Sequence, residues 1–106
     1  MKKECWFLYI LRNERNALYT GITTDIDRRL TEHREKNSKS AKFTRGCKEL
    51  HLVFQCEIGK RSQALKVEAK IKHLKKDNKE KIVDSGFTNK ELFKYLSIKR
   101  SSAPPL

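Results

Sequence analysis

Two short apolar runs, Trp6 to Leu11 and Ala17 to Ile22, open the chain. Side chains of a strand alternate between faces, so Cys5, Phe7, Tyr9 and Leu11 share one face and Trp6, Leu8 and Ile10 the other. Both faces are largely apolar, which predicts a strand covered on both sides. Arg12 to Asn16 is polar, holds two asparagines and is short enough for a hairpin loop. Antiparallel pairing across that loop sets Tyr9 and Tyr19 side by side. Gly21 follows two residues later, and a glycine inside a strand marks a bulge or a close approach of other atoms.

A helix begins next, with Thr24 and Asp25 as its cap and Asp27 in the first turn, where a carboxylate suits the dipole. On a helical wheel started at Ile26, Leu30, His33 and Arg29 all fall within about 60° of the starting position, while Arg28 falls on the far side. Arg29 and His33 therefore border the buried face and Arg28 points to water. Asn37 to Glu49 reads as a loop. Leu50 to Cys56 reads as a third strand, with Leu50, Leu52 and Phe54 on its apolar face and Gly59 closing the segment. His51 falls on the more polar face and receives no function.

The second helix is expected over about Ser62 to Lys76. On its wheel the apolar Val67, Ile71 and Leu74 lie to one side of Ala64 and Leu65 to the other, and Glu68 falls between Ala64 and Leu65, within the buried arc. A carboxylate there is expensive unless paired, protonated or bound to a cation. Periodicity alone weighs two readings equally: an ion pair, for instance with Arg29, or a functional carboxylate. Asp84-Ser85-Gly86 reads as a helix end. Thr88 with Glu91 forms a capping-box pattern that opens a last helix through about Ser97, with Leu92, Phe93 and Leu96 available for burial.

The expected fold is α/β (α+β), a small three-stranded antiparallel sheet flanked by helices in the order β-β-α-β-α-α-α. Residues 1–98 should form one domain, since 106 residues suffice for one modest core and not two. Residues 99–106, with two prolines and two serines, should be a disordered tail.

Charge narrows the partners. Lys and Arg number 25 against 13 acidic residues, a net of +12, which favours nucleic acid or an anionic surface. No stretch approaches the roughly 20 apolar residues that span a bilayer, and Met1 to Trp6 shows no hydrophobic signal region. A cytoplasmic protein without membrane contact is expected. The three cysteines, odd in number and without CxxC spacing, argue against a disulfide framework or a zinc site. Basic residues gather twice. Lys39, Lys42, Arg45 and Lys48 are interleaved with serines and Phe43, where they could clamp a phosphate backbone. Residues 60–81, including Lys72, carry nine basic and three acidic residues. A solvated surface is the plainer meaning of such lysines.

Phe7-Leu8-Tyr9, then Tyr19-Thr20-Gly21, then Arg29, His33 and Glu68, resemble the GIY-YIG nuclease domain. The likeness covers roughly residues 5 to 85. It is closest to the small stand-alone bacterial members (UPF0213-like), which are similar to the N-terminal nuclease module of the excision-repair protein UvrC. The first triplet lacks the family's leading glycine, and the asparagine that many members carry after the metal glutamate has only Asn78 as a counterpart. The resemblance implies a divalent-metal-dependent DNA endonuclease that hydrolyses a phosphodiester bond, in DNA repair or recombination. It also implies the roles. Glu68 would hold a single Mg²⁺ or Mn²⁺, Arg29 would donate to the non-bridging oxygens, and Tyr9 would be the base, helped by Tyr19 or His33. Gly21 has a structural part. A free phenol with pKa ~10 is a poor base at neutral pH, so cations near Tyr9 are expected to lower it. The alternative is a non-catalytic nucleic-acid-binding module that keeps the fold. Binding alone requires lysines and not the set Tyr9, Tyr19, Arg29, His33 and Glu68. A monomer is expected, with DNA as ligand and a partner protein to supply targeting.

Overall fold

The computed structural model describes residues 4–35 and 46–97. Its central strand is β1 (Trp6–Asn13), flanked by β2 (Leu18–Thr23) and β3 (Leu50–Gly59), all antiparallel. The double-sided apolar pattern of the first run is what suits β1 to the middle. Leu8, Tyr9, Ile10 and Leu11 are each at most 1% exposed. Among the described residues four helices complete the order β-β-α-β-α-α-α: α1 (Ile26–Glu35), α2 (Arg61–Lys72), α3 (Lys76–Ser85) and α4 (Asn89–Leu96).

The two faces of the sheet carry separate clusters. Leu8, Ile10, Phe54, Cys56 and Ile58 pack with Ala64, Val67 and Ile71 of α2, Ile82 of α3, and Leu92, Phe93 and Leu96 of α4. Tyr9 and Leu11 pack on the other face with Leu30 of α1, Cys47 and Leu50, joined by Tyr19, Ile26 and Leu52.

β3 departs from the expected alternation. Ile10 pairs with Phe54 but Leu11 pairs with Leu52, so Val53 is an extra residue in a bulge. Leu50 and Leu52 consequently join the Tyr9 cluster while Phe54 joins the opposite one. One strand thus feeds both cores, which simple alternation from Leu50 to Phe54 could not do. A second irregularity between Trp6 and Phe7 accompanies the extension of β3 to Gly59.

The hairpin is longer than its polar run suggests. Arg12 and Asn13 belong to β1 because both find partners: Arg12 makes a bidentate pair with Glu80 of α3 at 2.8 and 2.7 Å. Asn13, buried, accepts from the amides of Arg15 and Ala17, each at 2.9 Å, and shapes the turn. Asp25 caps α1 by accepting from the Arg28 amide at 3.0 Å. The predicted capping box opens α4, with the Thr88 amide donating to Glu91 at 2.9 Å and the Glu91 amide to Thr88 at 3.3 Å. α3 ends at Ser85 with Gly86 left-handed, at φ 65°. The second helix stops four residues short of expectation, and Lys76 instead opens α3. The tail expected at 99–106 lies outside the described residues. Among the described residues no helix is long and apolar enough to cross a membrane.

Candidate active site

The site grows from β1 and β2. Their register sets Tyr9 opposite Gly21 and Leu11 opposite Tyr19, so the tyrosines are diagonal neighbours on one face, with ring centroids 6.3 Å apart. Gly21 decides how Tyr9 lies. A Cβ at position 21 would stand 2.5 Å from the Tyr9 hydroxyl and 2.6 Å from Cζ. The ring therefore lies across the glycine toward β2.

α1 covers this face and delivers the other groups. His33 is fully buried, and its Nε2 is 3.0 Å from Tyr9 Oη. Its ring also stands edge-on to Tyr19, with centroids 5.4 Å apart. Arg29 is partly buried and Arg28 exposed, as the helical wheel predicts. The charge of Arg29 acts on the Tyr9 phenol, and Arg29 pairs with Glu32 at 2.8 Å. The Tyr9 hydroxyl and His33 Nε2 share one hydrogen bond, and which of them donates follows from the His33 tautomer.

The electrostatics follow from this packing. Burial pushes the Tyr9 phenol up to about 12, and the nearby Tyr19 and Glu68 add to the rise. Arg29 pulls the other way without prevailing. Arg29 thus lowers the Tyr9 pKa, as expected of a neighbouring cation, but desolvation of a phenolate with 1% exposure outweighs that one guanidinium. His33 is pulled down to about 4, first by burial and then by Arg29, against the opposing charge of Glu32. It is neutral at pH 7. Burial also works against the Arg29 charge, but the hydrogen bonds to Glu32 and Tyr9 more than offset it.

Glu68 arrives from a different layer. Ala64, Val67 and Ile71 seat α2 in the cluster opposite Tyr9, and the helix packs chiefly along β2 and β1. Tyr9 leans toward that same β2 edge, and the Glu68 charge acts on its phenol. The carboxylate is largely buried, with 20% of its side chain exposed, and its ion-pair partner is Lys72 at 3.3 Å. The alternative pairing with Arg29 is not the one formed. Each acid finds a cation on its own helix, Glu68 with Lys72 four residues on and Glu32 with Arg29 three residues back, a cheaper arrangement than joining two helices. Sequence reasoning misses the role of Glu32, although its spacing from Arg29 is visible there.

The expected phosphate contacts divide. Lys39, Lys42 and Arg45 lie outside the described residues. Lys48 is exposed, and its amide donates to Glu14 at 2.9 Å, which ties the start of β3 to the hairpin. Lys72 is half-exposed beside Glu68. Among the described residues no three His, Cys, Asp or Glu side chains cluster as a metal cage. A largely hydrated Mg²⁺ needs only one or two carboxylates. Glu68 fits that demand, with Lys72 as the cation to be displaced.

Two tyrosines on adjacent strands, an arginine and a histidine from the following helix, and a glutamate from the helix after β3 are the residues that carry the resemblance to the GIY-YIG domain. A family model of the GIY-YIG catalytic domain matches residues 5–81, and the chain belongs to that family. Within it, the chain is similar to UPF0213 proteins. It is 54% identical over 83 residues to one of Yersinia enterocolitica, covering 78% of this chain and 84% of the relative. It is 56% identical over 78 residues to one of Pectobacterium carotovorum, covering 74% and 77%. The solution NMR structure of a UPF0213 protein from Bacillus halodurans matches with a TM-score of 0.51 and 34% identity, over 90% of this chain and 99% of that one.

Proposed function

We propose that this chain is a divalent-metal-dependent endonuclease that hydrolyses a phosphodiester bond in DNA. The observation that carries the reading is the Tyr9–His33 hydrogen bond beside Tyr19, with the charges of Arg29 and Glu68 both acting on the Tyr9 phenol. A stable core does not require an arginine, a buried histidine and a carboxylate around one tyrosine. A net charge of +12 supports a polyanionic substrate.

Glu68 would hold one Mg²⁺ or Mn²⁺, which when bound supplies positive charge for the phosphate and the leaving 3′ oxygen. Arg29, charged and already directed at Tyr9, donates to non-bridging oxygens. Tyr19 is partly exposed whereas Tyr9 is 1% exposed, so Tyr19 is the phenol that an attacking water can reach. Tyr9 and His33 then hold Tyr19 and Arg29 in place from beneath, in a reversal of the parts expected for the two tyrosines. Lys48 and Lys72 contribute phosphate contacts. The setting is intracellular DNA metabolism, such as repair or recombination, with a monomeric enzyme directed by a partner protein.

The test is incubation of the purified protein with linear and branched DNAs in Mg²⁺ or Mn²⁺ and in EDTA. Metal-dependent cleavage that Glu68→Gln abolishes is expected. Metal-independent binding with no cleavage of any substrate would favour the non-catalytic binding module.

A further inference from the structure

Trp6 is the only tryptophan of the chain and is partly exposed at the start of β1. It packs against the larger core cluster, and the Arg61 guanidinium carbon lies 5.4 Å from its ring centroid. Beside the pair is a groove of about 500 Å³ lined by Glu4, Cys5, Trp6, Gly59, Lys60 and Arg61. Its volume is within the range of small-molecule sites, roughly 300–1,000 Å³. Lys60 and Arg61 are exposed and have no acidic partner among the described residues. Lys72, Arg29 and Arg12 are all paired.

The groove is linked to Glu68 by one stripe of α2. Arg61, Leu65, Glu68 and Lys72 are spaced four, three and four apart, so they lie within about 60° of one another around the helix. Leu65 is one of two large apolar side chains left exposed among the described residues, at 38%. Seven residues separate Arg61 from Glu68, about 10 Å of helix. That span equals about three phosphates of a duplex strand at about 3.4 Å each, and fewer of an extended single strand.

We propose that Trp6, Arg61 and Leu65 form a subsite for an unpaired DNA base, flanked by Lys60 for its phosphate, a short distance along the strand from Glu68. The ligand assignment rests on the nuclease reading, since it takes the DNA strand to run along α2 from the Glu68 carboxylate. The Arg61 guanidinium over the Trp6 ring, the exposed Leu65 four residues on, and Lys60 beside them suit a base and its phosphate, since neither cation has an acidic partner among the described residues. Stacking on an aromatic tolerates any base, because every base has a π-face. A base paired and stacked within a duplex cannot enter the groove. The substrate class is thus DNA with unpaired nucleotides beside the cut, such as a flap, fork or gap.

Trp6 reports on its own surroundings. Fluorescence excited selectively at tryptophan is followed in EDTA while the full chain is titrated with a short oligothymidine, an abasic strand of equal length and a blunt duplex. Quenching by oligothymidine alone is expected. Arg61→Ala, a surface change, should weaken oligothymidine binding by roughly five- to a hundredfold and leave duplex binding within a few-fold. Equal quenching by the abasic strand, or none by any strand, overturns the subsite. Cleavage with Mg²⁺ is scored separately. Quenching without cleavage keeps the subsite and removes the nuclease reading, whereas cleavage without base-dependent quenching does the reverse.

Discussion

Gly21 and Tyr9 face each other across β2 and β1, and the Tyr9 ring fills the space where any other residue 21 would carry its Cβ. The pairing makes a backbone position a condition for the side-chain site. With the ring lying across Gly21, the Tyr9 hydroxyl meets His33 and feels the charge of Arg29.

Gly21→Ala should therefore displace a ring that has no free space to enter. A loss of about 1–3 kcal/mol is expected from such overpacking, with the Tyr9–His33 bond broken and cleavage lost. Gly46→Ala is the control, since no atom of the described residues lies within 4 Å of its Cβ position. Thermal melts of the two variants should differ by several degrees, and equal melting would remove the steric role of Gly21.

His33 gives stability a pH dependence. Its pKa is lowered to about 4 in the folded chain, against about 6.5 unfolded. Between these values the unfolded state binds more protons, so stability is complete above about pH 6.5 and declines as pH falls toward about 4. About 2 kcal/mol should be lost by pH 5. The carboxyls held low, Glu14 by backbone amides, Glu80 by Arg12 and Glu91 by its capping box, act at lower pH. Urea midpoints of the wild type and His33→Gln from pH 7 to 5 should show the slope only in the wild type.

Glu68→Gln should abolish metal-dependent cleavage and leave the fold in place. The ion pair it breaks is with a half-exposed Lys72 on the same helix, where such pairs contribute under about 1 kcal/mol. DNA affinity should be unchanged or higher, because one negative charge is removed and Lys72 is released. Cleavage at the wild-type rate would exclude Glu68 as the metal ligand.

Tyr9→Phe removes the hydroxyl that is hydrogen-bonded to His33 Nε2, a nitrogen of a fully buried ring. A cost of about 1–3 kcal/mol is expected from losing a buried bond on one side only, together with reduced cleavage. Tyr19→Phe should leave stability nearly intact and reduce cleavage further, because Tyr19 is the partly exposed phenol. If Tyr9→Phe alone abolished cleavage at unchanged stability, Tyr9 would be the base after all.

Affinity for duplex DNA should fall with salt, with a log–log slope of about −0.9 per phosphate neutralised. Lys48→Ala should make the slope shallower by about that amount if the exposed Lys48 side chain meets a phosphate. An unchanged slope would leave Lys48 only its backbone bond to Glu14.

The order of elements, the central place of β1, the phase of Arg29 and His33 against Arg28, and the capping box of α4 were all legible in the chain before it folds. They follow from local periodicity and from side chains that bond within a few residues. Register and burial are different, because they arise only when distant segments meet. The Val53 bulge sends Leu52 and Phe54 to opposite cores, an outcome invisible to simple alternation. Arg12 is held in β1 by Glu80, which lies 68 residues away in the chain. The direction of the Tyr9 pKa also depended on packing. Composition supplies Arg29, but only the folded chain removes enough water from the phenol for desolvation to outweigh it.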